Sequence, residues 1–115
     1  MKKPKKSELP SGGDCYNVAG RYLMDHAFGE DSGLLLVHGE VGGQGPLAGI
    51  RMGHAWIEDG DMVIDNSNGT NRTIPKQLYY AIGNIGQTFK YTMDEMRKKV
   101  LEYGHWGPWD LKTEY

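Results

Sequence analysis

The chain has 115 residues, 38% of them hydrophobic, with 17 glycines, 3 Trp and 7 Tyr. That length suits one domain around one core; no apolar run approaches the ~18 residues of a membrane span, and a single cysteine excludes an internal disulfide framework and a Cys-rich zinc module. The net charge is -2, but four lysines fall within the first six residues, so the remainder is acidic, which argues against nucleic acid as the main partner.

Residues 1–13 read as a basic, flexible arm, and 14–115 as a single domain. No apolar stretch follows the opening lysines, so they do not form a secretory signal, and the chain reads as cytoplasmic. Asp14 is a good N-cap type, which predicts a helix beginning at Cys15. Cys15, Val18, Ala19, Tyr22 and Leu23 then share one helical face. Gly29 or the stretch Glu30–Gly33 ends it. Leu34–His38, bounded by glycines, is a buried strand, and the glycine-rich segment 42–49 is a loop that borders a site.

Ile50–Glu58 and Asp61–Asp65 read as two strands joined by Asp59-Gly60, a two-residue hairpin signal. That turn puts Glu58 opposite Asp61, Trp56 opposite Val63, and His54 opposite Asp65. Facing residues share a face of the sheet, so an imidazole lies beside a carboxylate. Asn66–Thr73 reads as a polar loop, Pro75 as the first residue of a short helix through Ala81, and Thr88–Tyr91 as a strand. Thr92 and Glu95 form a capping box for a last helix. Its apolar stripe is Met93, Met96, Val100 and Leu101, and Gly104 stops it. The aromatic tail His105–Asp110 is expected to pack back onto the domain. The sum is an α+β fold, with a Cys-bearing N-terminal helix on a small antiparallel sheet of about four strands and two further helices.

Three residues supply the chemistry of a thiol nucleophile. Cys15 sits where the helix dipole favours a thiolate. His54 is the base that deprotonates it, and Asp65 orients the imidazole and stabilises its charged form. Each also has a plainer role: a small core residue, a structural histidine, a turn aspartate. His38, at the end of a buried strand, is either a second polar group near Cys15 or a structural histidine. His38, His54 and Asp65 can also be read as three metal ligands, but no spacing signature supports that, and the reading carries no metal and no cofactor.

The series Gly13-Asp14-Cys15-Tyr16-Asn17-Val18-Ala19, Leu36-Val37-His38-Gly39, Gly53-His54-Ala55-Trp56-Ile57-Glu58 and Val63-Ile64-Asp65 resembles the core of the transglutaminase-like branch of the papain-like cysteine hydrolases. The resemblance spans roughly residues 13–66. It implies a papain-like fold, with Cys15 as nucleophile, His54 as general base and Asp65 as orienter. Papain-type members carry a Gln six residues before the Cys for the oxyanion hole, where this chain has Leu9. The donors then come from elsewhere: the Cys15 N–H, Asn17, Gln44 or the Trp56 indole. The tail Gly104–Asp110 is similar to short phage and bacterial proteins. The implied activity is hydrolysis or acyl transfer at an amide or related acyl bond of a protein, peptide or small molecule. The other reading is a non-catalytic binding or inhibitory module on the same scaffold, of a phage-effector type with a host-protein partner.

Overall fold

The computed structural model describes residues 12–27, 32–42, 49–69 and 71–112. The basic arm, apart from its last two residues, and Gln44 with the rest of 43–48 lie outside the described residues. The elements in chain order are α1 (Gly12–His26), β1 (Leu34–Gly42), β2 (Arg51–Asp59), β3 (Met62–Asp65), a 3-10 turn (Ser67–Gly69), β4 (Arg72–Pro75), α2 (Lys76–Ile82), β5 (Thr88–Tyr91) and α3 (Met93–Tyr103). The fold is α+β. The strands form one sheet in the order β4-β3-β2-β1-β5, every neighbouring pair antiparallel.

The expected fourfold sheet therefore has a fifth strand among the described residues. The end of the segment read as a polar loop, together with Ile74 and the Pro75 read as a helix start, supplies it: Arg72–Pro75 pairs with β3 from Asp65↔Arg72 to Met62↔Pro75. Only Ile74 there is apolar, so its side chains carry no strand periodicity; backbone pairing makes the strand. Pro75 consequently ends β4 and precedes α2, and the helix starts one residue later, at Lys76.

Two layers cover the sheet. On one side α1 and α3 bury Cys15, Tyr16, Ala19, Leu23, Leu36, Ala55, Ile57, Tyr91 and Met96. On the other, α2 closes a smaller cluster of Val37, Trp56, Val63 and Tyr79. Alternation along β2 explains the split, since Ala55 and Ile57 point to one layer and Trp56 to the other. The predicted face of α1 is the buried one, with Val18 and Tyr22 half-buried at its margin. The helix itself begins at Gly12, so residue 14 lies inside it rather than capping it, and it ends at His26, before Gly29.

The α3 helix forms as its sequence dictates. The Thr92 side chain accepts from the Glu95 N–H, the Glu95 carboxylate accepts from the Thr92 N–H, and Gly104 closes the helix at φ 77°. Leu101 departs from the predicted stripe and is 85% exposed. The tail does fold back: Trp106 and Trp109 pack against the larger cluster, and Trp106 occupies the space that a side chain at Gly20 would need.

Candidate active site

The hairpin that carries the site has a different tip from the one predicted. Asp59 pairs with Met62 and Glu58 with Val63, so the turn residues are Gly60 and Asp61. Gly60 has φ 61° and Asp61 is not left-handed, so glycine takes the first central position, as type II′ turns require. The expected pairs Glu58–Asp61, Trp56–Val63 and His54–Asp65 are thus displaced by two residues. A two-residue displacement keeps each side chain on its face. His54 therefore still meets Asp65, diagonally: His54 Nε2 and Asp65 Oδ2 are 2.9 Å apart. Strand pairing ends at Ile57↔Ile64, and the two side chains meet beyond that point.

Asp65 is 8% exposed and accepts hydrogen bonds from His54, Ser67 and Tyr79. Its Oδ1 takes the Ser67 N–H at 3.1 Å and the Ser67 hydroxyl at 2.7 Å. Its Oδ2 takes the Tyr79 hydroxyl at 2.7 Å as well as His54. Burial favours the neutral acid, but His54, Ser67 and Tyr79 outweigh it and hold the carboxyl far below its usual range. Ser67 and Tyr79 carried no sequence signal for this role, because both lie beyond the hairpin in segments read as loop and helix.

Cys15 comes to this pair from α1. Its helix starts three residues earlier than predicted, which leaves the cysteine within reach of the helix dipole, though not at the first position. The thiol is in hydrogen-bonding contact with His54. Burial opposes charge on the imidazole, yet Asp65 and Cys15 prevail and raise its pKa to about 10. Nε2 is the nitrogen engaged by Asp65, which leaves Nδ1 available to a second partner. Cys15 is fully buried. A cavity of about 10 Å³ beside it is lined by Val18, Ala19, Tyr22, Ile64 and Asn66 among others, with room for one water-sized group.

The remaining candidates fall elsewhere. Asn17 is two residues beyond Cys15, a spacing that turns it to another side of the helix, and it does not line the cavity. The Trp56 indole N–H donates to Glu58 Oε2 at 3.2 Å, so that donor is already committed. Glu58, 2% exposed, also accepts from Tyr80 and pairs with Lys90 at 3.0 Å. His38 is fully buried between Tyr16, Tyr91 and Trp109, and neither ring nitrogen has a hydrogen-bond partner among the described residues. Burial lowers its pKa to about 3 against a weaker opposing pull from Asp110, so it is neutral. It does not converge with His54 and Asp65, and no group of three potential metal ligands occurs among the described residues. No helix among them is long and apolar enough to cross a membrane.

No protein-family model, curated protein or solved structure matches the chain.

Proposed function

We propose that the chain is a cysteine-dependent hydrolase or acyltransferase, acting on an amide or related acyl bond, with a papain-like core of the transglutaminase-like type. The observation that carries this reading is the contact of the only thiol with an imidazole whose Nε2 is bonded to a buried carboxylate. His54 takes the Cys15 proton, and the resulting thiolate–imidazolium pair is stabilised by Asp65. The thiolate attacks the acyl carbon, and the imidazolium then protonates the leaving group. An acyl-thioester remains on Cys15. Water or an amine, deprotonated by His54, attacks it and frees the thiol. Under this reading the substrate is a protein, peptide or small amide met in the cytoplasm, and neither nucleic acid nor a membrane is a partner.

A second reading is a non-catalytic binding or inhibitory module that docks on a host protein. The full burial of Cys15 and the small cavity beside it favour it, since a substrate needs access to the sulfur.

The deciding experiment is the pH dependence of Cys15 alkylation by iodoacetamide, in wild type and in His54→Ala. Thiolate absorbance, taken against Cys15→Ser, gives the ionisation without any need for reagent access. An ordinary thiol ionises near pKa ~8.5. Thiolate that persists well below that pH, and disappears in His54→Ala, is the expected result. An ordinary profile, unchanged by the substitution, would overturn the enzyme reading and leave the binding module.

A further inference from the structure

Asp65 Oδ2 is shared by two donors, and only one of them belongs to the hairpin. His54 Nε2 lies 2.9 Å away and the Tyr79 hydroxyl 2.7 Å away. Tyr79 stands on α2, buried against Trp56 with ring centroids 5.1 Å apart. Burial and the neighbouring carboxylate push its hydroxyl pKa well above the ordinary tyrosine value, so it stays a donor at any working pH. The other carboxylate oxygen is held twice by Ser67, which fixes the orientation of the group without help from Tyr79. The Tyr79 hydroxyl therefore does something other than hold Asp65 in place: it draws on the same oxygen that supports the imidazolium.

We infer that Tyr79 is a positioning residue of the Cys15–His54–Asp65 cluster, one that limits how strongly Asp65 stabilises charged His54. This rests on the functional reading above for its significance. Two donors on one oxygen divide its capacity, so removal of one strengthens the bond to the other. A carboxylate too basic toward His54 would keep the imidazolium charged and hold its proton back from the leaving group. The Tyr79 hydroxyl tempers that without adding charge to the site. Among the described residues, the titratable and charged groups around the cluster are Cys15 from α1, His54 from β2, Asp65 from β3, Arg72 from β4 and Tyr79 from α2.

The adjacent tyrosine supplies the control. Tyr80 is on the same helix and donates to a buried carboxylate too, but that carboxylate is Glu58. Tyr79→Phe and Tyr80→Phe each remove one hydroxyl and keep the ring. The test is an NMR titration of the His54 ring in both variants and in wild type, with thiolate absorbance of Cys15 followed in parallel. For Tyr79→Phe the His54 midpoint is expected to rise by roughly half a unit or more, with thiolate persisting to lower pH. Tyr80→Phe is expected to leave both midpoints at the wild-type values. A Tyr79→Phe midpoint that is unchanged or lowered would overturn the inference, as would equal shifts in the two variants. The His54 titration does not depend on catalysis. An ordinary, His54-independent thiol in wild type would therefore sink the functional reading while the tuning by Tyr79 was still measured.

Discussion

Gly39 and Trp56 meet so closely that a β-carbon at position 39 would lie 2.5 Å from the indole Cη2. Gly39 pairs with His54 across β1 and β2, and Trp56 is two residues along the same strand. The absent side chain thus leaves room for the largest fully buried residue, directly beside the histidine. Gly39→Ala is expected to cost about 1–3 kcal/mol by overpacking, and Trp56→Ala about 3–5 kcal/mol by leaving a cavity. Chemical denaturation measures both. In the double variant the two costs should fall well short of adding, because one change removes the clash that the other creates.

Asp65→Asn should cut the reactivity of Cys15 and return His54 from about 10 toward its ordinary 6.5. The sign for stability follows. A raised histidine contributes stability that is complete below pH 6.5 and lost as pH rises through about 10. The depressed carboxyl of Asp65 contributes stability that is complete above its ordinary 3.8 and lost as pH falls below that value. The asparagine variant should therefore lose less stability than wild type between pH 6.5 and 10. Denaturation midpoints over that range check it; parallel curves for the two proteins would contradict the role given to the pair.

His38 titrates in the opposite sense. Its folded pKa of about 3 lies below the ordinary 6.5, so the unfolded chain binds a proton first as pH falls. Stability should drop through that window with a slope of up to about 1.4 kcal/mol per pH unit from this residue alone. His54 is protonated in both states there and adds no slope. His38→Leu removes two buried nitrogens that have no partner among the described residues, and such replacements are close to neutral or stabilising. It should match or exceed wild type at neutral pH and flatten the acid limb. A marked loss of stability at neutral pH would mean that the ring nitrogens have partners.

Thr92→Ala should cost about 1 kcal/mol, since it removes one half of the capping box on α3. Cys15 alkylation should be unchanged in that variant, because Thr92 lies outside the cluster around the thiol. Thermal unfolding and the alkylation rate together test whether α3 supports the fold alone.

The parts of this fold that local chemistry dictates were legible in the sequence. The capping box at Thr92, the left-handed stop at Gly104, the face of α1 and the strand at Thr88–Tyr91 all rest on short-range rules. The meeting of His54 with Asp65 was legible for a subtler reason. The hairpin is displaced by two residues, an even number, so the side chains kept their faces although every predicted pair was wrong. What escaped was set by distant partners. β4 exists because β3 pairs with it, not because Arg72–Pro75 has a strand pattern. Tyr79 reaches Asp65 only once α2 has folded over Trp56. The approach of Cys15 to His54 depends on where α1 crosses the sheet, which no spacing in the chain encodes.

Among the described residues the sheet is open, with β4 at one margin and β5 at the other. Each of these strands is four residues long; one finishes on Pro75, and the other carries the exposed Lys90. Proline offers no donor to an incoming strand, and Lys90, although paired with the buried Glu58, keeps a half-exposed charge beside the other margin. A second molecule that tried to extend the sheet would find little to hold at either side. Self-association by strand addition, the common hazard of an open antiparallel sheet, is thus discouraged, and crowded solutions of the protein should stay clear of fibrils.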